Sequence, residues 1–156
     1  MAELSIHDKV QLALEASDFD AVLATGADSI QYLSGAALPF LPYRPDQRLM
    51  VFWPKHGEPV LLCPSELVCT VRRLGRIEDI QTYSATGDAP AGSVAAVARL
   101  AGALEEPDPT LGIDAQQIPT ALFEALGKAL PGAKLVACDD WLRELRMVKT
   151  GAEQAL

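Results

Sequence analysis

The amino-acid sequence predicts an α/β domain with a mixed β-sheet, built from an antiparallel hairpin and βαβ-like units, and with helices on both faces. Two observations support this fold class. In the second half of the chain, short apolar runs alternate with segments of helical composition, which is typical of parallel strands joined by helices. Before them, two apolar runs flank a turn that contains Gly57, which predicts the hairpin. The 156 residues suit one ordinary domain.

Apolar spacing and helix-stopping residues define the elements of the first half. Ile6, Val10 and Leu14 recur every four residues, which predicts an amphipathic helix with Ser5 as its N-cap. Gly35 is placed to end the next helix. The predicted elements are, in chain order, a helix over 5–16, a strand over 21–24, a short helix over 28–33, strands over 49–53 and 59–63, and a helix over 66–74 that Ser65 caps and Gly75 ends.

Strands and helices alternate in the second half. The alanine-rich stretch over 91–104 has helical composition, and the apolar residues of 119–130 have helical spacing. Short apolar runs between them predict buried strands. The predicted elements are a strand over 80–83, a helix over 91–104, a strand over 111–113, a helix over 119–130, a strand over 134–137, and a helix that Asp139 or Asp140 caps and that ends at Met147.

Charge and hydropathy exclude several classes of partner. Lys and Arg number 13 against 21 Asp and Glu, a net charge of −8, and such a surface repels phosphate backbones and anionic lipids. Nucleic acid is therefore not expected as a partner. No apolar run approaches the roughly 20 residues of a membrane span, and acidic residues interrupt the first apolar positions, unlike a signal peptide. The sequence predicts no membrane partner and a cytoplasmic location.

The cysteines and histidines do not form a recognisable site. Cys63, Cys69 and Cys138 are odd in number, form no CxxC pair and have apolar neighbours, which predicts buried thiols. His7 and His56 cannot supply a zinc-binding motif. We therefore expect neither a metal site nor a disulfide framework within this chain.

The last residues have the pattern of a helix start. Thr150 and Glu153 fit a capping box, in which each side chain bonds the other residue's backbone N–H. Three residues follow, whereas isolated helices shorter than about 12 residues are marginal in water. Two interpretations follow from this pattern alone: the polypeptide continues into a further domain, or the terminus is a frayed polar end.

Several stretches occur in the order of a known family. The last, WLRELRMVKTGAEQAL at 141–156, resembles the junction between the N-terminal domain and the pita-bread catalytic domain of creatinase, prolidase and aminopeptidase P-type metallohydrolases. Ser29 and Ala36 depart from residues that are frequent in the family. The other matching stretches are DAVL at 20–23, SIQYLSG at 29–35, Arg48 before a strand, GEPVL at 57–61 and PSE at 64–66.

The resemblance implies a ribonuclease H-like creatinase N-terminal domain over 1–148. Residues 149–156 are then a linker and the first helical turn of an absent catalytic domain. In the family that domain holds a paired divalent metal, here expected to be Mn, Co or Zn, through two Asp, one His and two Glu, and none of those motifs falls in this chain. The implied function is the non-catalytic N-terminal domain of a metal-dependent Xaa-Pro peptidase or creatinase-like hydrolase. Its implied partners are its own C-terminal catalytic domain and a second copy in a homodimer.

One loop is the candidate for bordering the active site. The resemblance implies that a loop of this domain lies near the partner subunit's site, and the proline-rich segment with Phe40, Tyr43 and Arg44 is the best match. Prolines stiffen it, an aromatic ring stacks on a substrate, and a guanidinium binds a carboxylate through two hydrogen bonds. The plainer alternative is a surface connection in which Arg44 is solvated or pairs with Asp46.

Two other functions compete with this one. A free-standing α/β binding or dimerisation module is the main alternative, and a gene that stops at Leu156 would favour it. The other is a small enzyme that uses Cys63 or Cys69, which requires an accessible thiol. We expect both thiols to react slowly in the folded protein.

Overall fold

The computed structural model describes residues 4–40, 48–85 and 89–154. Six strands and seven α-helices follow the predicted order within these ranges. The strands are β1 Ala21–Ala24, β2 Met50–Pro54, β3 Val60–Pro64, β4 Asp79–Tyr83, β5 Thr110–Ile113 and β6 Lys134–Ala137. The helices are α1 Ile6–Glu15, α2 Ala27–Ser34, α3 Val68–Leu74, α4 Ala89–Gly102, α5 Thr120–Ala129, α6 Asp139–Met147 and α7 Gly151–Gln154.

The strands form one mixed sheet in the order β4-β3-β2-β1-β5-β6. β2 pairs antiparallel with both β1 and β3, whereas the β1–β5, β3–β4 and β5–β6 pairs are parallel. The hairpin and the βαβ-like units of the sequence prediction are therefore both present, and the predicted fold class is confirmed.

Alternate residues of the central strands face two apolar cores. On one face, Val22 and Trp53 pack with residues of α1, α2, α3 and α6. On the other, Leu23 and Phe52 pack with residues of α4 and α5. Because successive strand residues point to opposite faces, the apolar runs of β1 and β2 indicate strands buried on both sides.

Two predicted helix boundaries hold in detail. The Ser5 hydroxyl accepts a hydrogen bond from the Asp8 N–H at 3.1 Å, and the Asp8 carboxylate accepts one from the Ser5 N–H at 3.4 Å, which completes a capping box. Gly35 ends α2 with φ of 75°, a left-handed conformation that glycine adopts without steric cost.

Two predicted caps were wrong. Ser65 begins a 3₁₀ turn over Ser65–Leu67 and its hydroxyl donates to the Tyr83 carbonyl at 3.3 Å, so α3 starts only at Val68. Neither Asp139 nor Asp140 caps α6, because Cys138 occupies the N-cap position and makes no side-chain cap hydrogen bond. The Asp139 carboxylate instead accepts the backbone N–H groups of Ala115 and Gln116, each at 3.0 Å. The side chains of Ser65 and Asp139 bond to distant parts of the chain, which explains why local sequence misassigned them.

No helix within residues 4–40, 48–85 and 89–154 has the length and apolar character to cross a membrane.

Candidate functional site

The predicted substrate loop lies between α2 and β2. Phe40 is half-buried and packs against the core that α1, α2, α3 and α6 cover. Tyr43 and Arg44 lie outside the described residues. The assignment of this loop to a substrate therefore stays a prediction. Arg48, which follows it, is half-buried, although a charged residue at the entry to a strand is normally exposed.

The junction between α6 and α7 carries a cluster of polar contacts. The Glu153 carboxylate accepts the Thr150 N–H at 2.7 Å, and the Thr150 hydroxyl accepts the Glu153 N–H at 3.3 Å. The capping box that the sequence predicted is therefore formed. It positions the Glu153 side chain toward α1.

The side chain of Lys9, in α1, forms an ion pair with the Glu153 carboxylate. Its ammonium lies 3.1 Å from Glu153 Oε2 and also donates to the Tyr32 hydroxyl at 2.8 Å. Two carbonyl groups at the end of α6, those of Leu145 and Val148, accept from the same ammonium. One cation thus joins α1, α2, α6 and α7.

The electrostatics of this site favour the charged pair. Burial alone would raise the pKa of Glu153, but hydrogen bonds from Thr150 and Lys9 outweigh it and lower the pKa from its ordinary 4.5 to about 2. The stabilisation from this carboxylate is therefore complete above pH 4.5 and is lost as the pH falls toward 2. Burial, reinforced by Glu153, raises the pKa of the Tyr32 hydroxyl, which stays protonated.

A second polar cluster lies where β1 and β5 end. The buried Asp114 carboxylate accepts the N–H groups of Thr25 and Gly26, at 2.7 and 2.6 Å, and the Thr25 hydroxyl at 2.6 Å. Burial raises the pKa of Asp114 although these hydrogen bonds oppose it. Its oxygens are engaged by the turn before α2, so the cluster holds the two strand ends together.

Two cavities open at the surface near the junction. The larger, about 790 Å³, has an apolar floor that includes Leu33 and Trp53. The smaller, about 430 Å³, is bordered by Glu153. Both are lined by Ile6 and Arg76, so the two cavities are neighbours.

The cysteines differ in accessibility. Cys63 and Cys138 are buried as predicted, but Cys69 is exposed, so the prediction for this thiol was wrong. Cys69 lies on α3 two residues before the buried Val71, and this spacing turns it to the opposite side of the helix. Burial raises the pKa of the Cys63 thiol to about 11 and that of Cys138 as well.

We therefore expect a thiol reagent to modify Cys69 rapidly in the folded protein at pH 8. Cys63 and Cys138 should react only after denaturation, since they are buried and protonated. Mass spectrometry of peptides after timed alkylation measures each site separately. Equal rates at all three thiols in the absence of denaturant would contradict this order.

The sequence also matches a family model, described as the creatinase/prolidase N-terminal domain, over residues 7–148. The chain belongs to this family. No curated protein matches its sequence.

Solved structures share the fold of this creatinase/prolidase N-terminal domain. A Creatine_N superfamily domain of a dipeptidase from Streptococcus thermophilus is 15% identical, with a TM-score of 0.69 over 91% of this chain and 98% of that one. Aminopeptidase P from the same organism is 23% identical, with a TM-score of 0.66 over 91% and 96%. The prolidase from Pyrococcus horikoshii is 17% identical with a TM-score of 0.69, and the match covers 96% of this chain but 37% of the prolidase.

In this creatinase/prolidase N-terminal domain, the sequence indicates the capping box of the α6–α7 junction but not the contact between Lys9 and Glu153. The capping box has a four-residue pattern that can be read directly. Lys9 carries no such signal, because its partner Glu153 lies 144 residues away in the chain. The partner of Asp114, Thr25, is likewise distant, at 89 residues, and the only local signal is an acidic residue directly after an apolar strand.

Proposed function

We propose that this chain is the non-catalytic N-terminal domain of a cytoplasmic, metal-dependent Xaa-Pro peptidase or creatinase-like hydrolase, and that a C-terminal catalytic domain follows Leu156. The observation that carries the proposal is the position of α7. The family match ends at residue 148, and a capped helix starts directly after it, at Gly151. A helix start at that point supports a linker over 149–156 that leads into a second domain.

Partial coverage of one relative supports the same organisation. The matched region is 37% of the Pyrococcus horikoshii prolidase, so the equivalent domain is part of a longer polypeptide there. Met147 and Val148, which are 70% and 69% exposed, flank the junction. Apolar side chains at that position would gain from burial against a following domain.

The residues that the structure describes do not fit a metal centre. No group of three or more His, Cys, Asp or Glu is placed among them to hold an ion. Asp114 and Asp139 accept backbone N–H groups from neighbouring turns. We therefore assign the paired Mn, Co or Zn ions, which would activate water for attack on an amide or amidine carbon, to the catalytic domain.

The proposed contributions of this domain are oligomerisation and a border for the active site. The loop with Phe40, Tyr43 and Arg44 would limit the length of the substrate, and the guanidinium of Arg44 would bind its carboxylate. Phe40 packs against the core, so it anchors the first residue of this loop. In a homodimer the loop would border the partner's site.

The division of labour predicts that the 156-residue chain neither binds metal tightly nor hydrolyses Xaa-Pro dipeptides. Calorimetric titration with Mn²⁺, Co²⁺ and Zn²⁺ should show no stoichiometric binding, and incubation with Xaa-Pro dipeptides should release no proline. The same assays on the gene product that includes the sequence after Leu156 serve as the positive control. Hydrolysis by the short chain alone would refute the proposal, as would a stop codon after Leu156.

A further inference from the structure

We infer that Lys9 and Glu153 form a lock that fixes the direction in which the polypeptide leaves the domain, so that the junction is rigid. The lock itself is a property of this chain. Its consequence for a second domain rests on the function proposed above.

Burial distinguishes this pair from ordinary surface ion pairs. The side chains of Lys9 and Glu153 are 10% and 4% exposed, and their charged atoms lie 3.1 Å apart. By contrast, the Asp140–Arg143 pair of α6 has side chains that are 79% and 58% exposed. Exposed pairs contribute little, whereas loss of one partner from a buried pair leaves an uncompensated charge.

The ammonium of Lys9 acts on both sides of the bend between α6 and α7. It bonds the carbonyl group of Leu145, which lies in the last turn of α6, and that of Val148, the C-cap residue directly after this helix. The last carbonyl groups of a helix have no N–H partner within the helix and need such a donor. The same ammonium also bonds the Glu153 carboxylate, which belongs to the first turn of α7. Because one atom holds both turns, the bend between them has little freedom to open.

The short α7 needs such a contact. Its four described residues are far fewer than the roughly 12 that an isolated helix requires in water. The capping box supplies two hydrogen bonds within the turn, but it does not attach the turn to the rest of the protein. The contact between Glu153 and Lys9 provides that attachment, and Tyr32 supports it from α2.

The consequence is a positioning role for Lys9. A domain attached through α7 would be held in one orientation relative to this one, instead of moving on a flexible linker. Lys9 would then affect how a loop of this domain meets the active site, without touching substrate.

Amide hydrogen exchange in the 156-residue chain tests the lock directly. In the unaltered chain, NMR should show slow exchange of the Thr150 and Glu153 N–H groups. Glu153→Gln retains a side chain that is competent in a capping box but removes the charge, so it isolates the ion pair from the cap. We expect this variant, and Lys9→Met, to raise both exchange rates about tenfold.

Lys128→Met is the matched control, because it removes one exposed lysine from α5 on the other face of the sheet. It should leave the exchange of Thr150 and Glu153 unchanged. If Lys9→Met does not fold, Glu153→Gln decides, since Lys9 keeps its bonds to Tyr32 and Leu145 there. Unprotected amides in the unaltered chain, or unchanged rates in Glu153→Gln, would overturn the lock. Neither result bears on metal binding or hydrolysis, so the proposed function is tested separately.

Discussion

Replacement of Asp114 by alanine is expected to lower the free energy of unfolding by about 2–6 kcal/mol. The N–H groups of Thr25 and Gly26 would lose their acceptor, and each buried donor left without a partner costs about 1–3 kcal/mol. The effect should be large because the residue is only 2% exposed and water cannot easily replace the carboxylate. Urea denaturation, followed by circular dichroism, measures the change.

Asp114→Asn is the matched control. One amide oxygen can accept both backbone N–H groups, and the amide NH₂ can donate to the Thr25 hydroxyl once that hydroxyl rotates. The variant also removes a buried charge. We expect a loss below about 1 kcal/mol. A similar loss for alanine and asparagine would show that the hydrogen bonds to the turn before α2 are not the cause.

Replacement of Trp53 by alanine should cost about 3–5 kcal/mol, the range for deletion of a large buried aromatic side chain. Trp53 is 2% exposed and belongs to one of the two cores, and its indole N–H donates to Gln11 at 3.3 Å. Neighbouring strands hold its backbone, so the cavity cannot collapse fully. Urea denaturation at equal protein concentration measures the difference.

Trp141→Ala provides the comparison for Trp53. Trp141 is half-buried and makes one edge-to-face contact with Phe19, with ring centroids 6.0 Å apart. Its loss should cost about 1–2 kcal/mol, because folding removes less apolar surface of a half-buried ring from water. Equal costs for the two tryptophans would contradict the assignment of Trp53 to the core.

The fold was predictable where signals are local. Three predicted features depend only on a few neighbouring residues, and the structure has all three. They are the apolar run of β1, the spacing of Val10 and Leu14 in α1, and the end of α2 at Gly35. Errors arose where a side chain bonds far along the chain, as Asp139 does to the turn after β5. Cys69 is a different case, because the phase of α3 relative to Val71 would have revealed its exposure.

The candidate site was predictable only in part, for the same physical reason. The cap formed by Thr150 and Glu153 depends on residues three apart, so its pattern is visible. The depth at which Glu153 is buried depends on Lys9 and Tyr32, which only the fold brings close. Tertiary packing, and not local propensity, therefore determines the strength of this junction.

The position of β1 has a consequence for synthesis on the ribosome. β1 pairs with β2 soon after both are made, but its other edge waits for β5, and the linked residues Thr25 and Asp114 are 89 residues apart. Because synthesis adds about 5–20 residues per second, that edge of β1 stays unpaired for on the order of ten seconds. Because a wholly apolar strand with an unpaired edge favours aggregation, we expect the nascent chain to be most prone to aggregate during that interval.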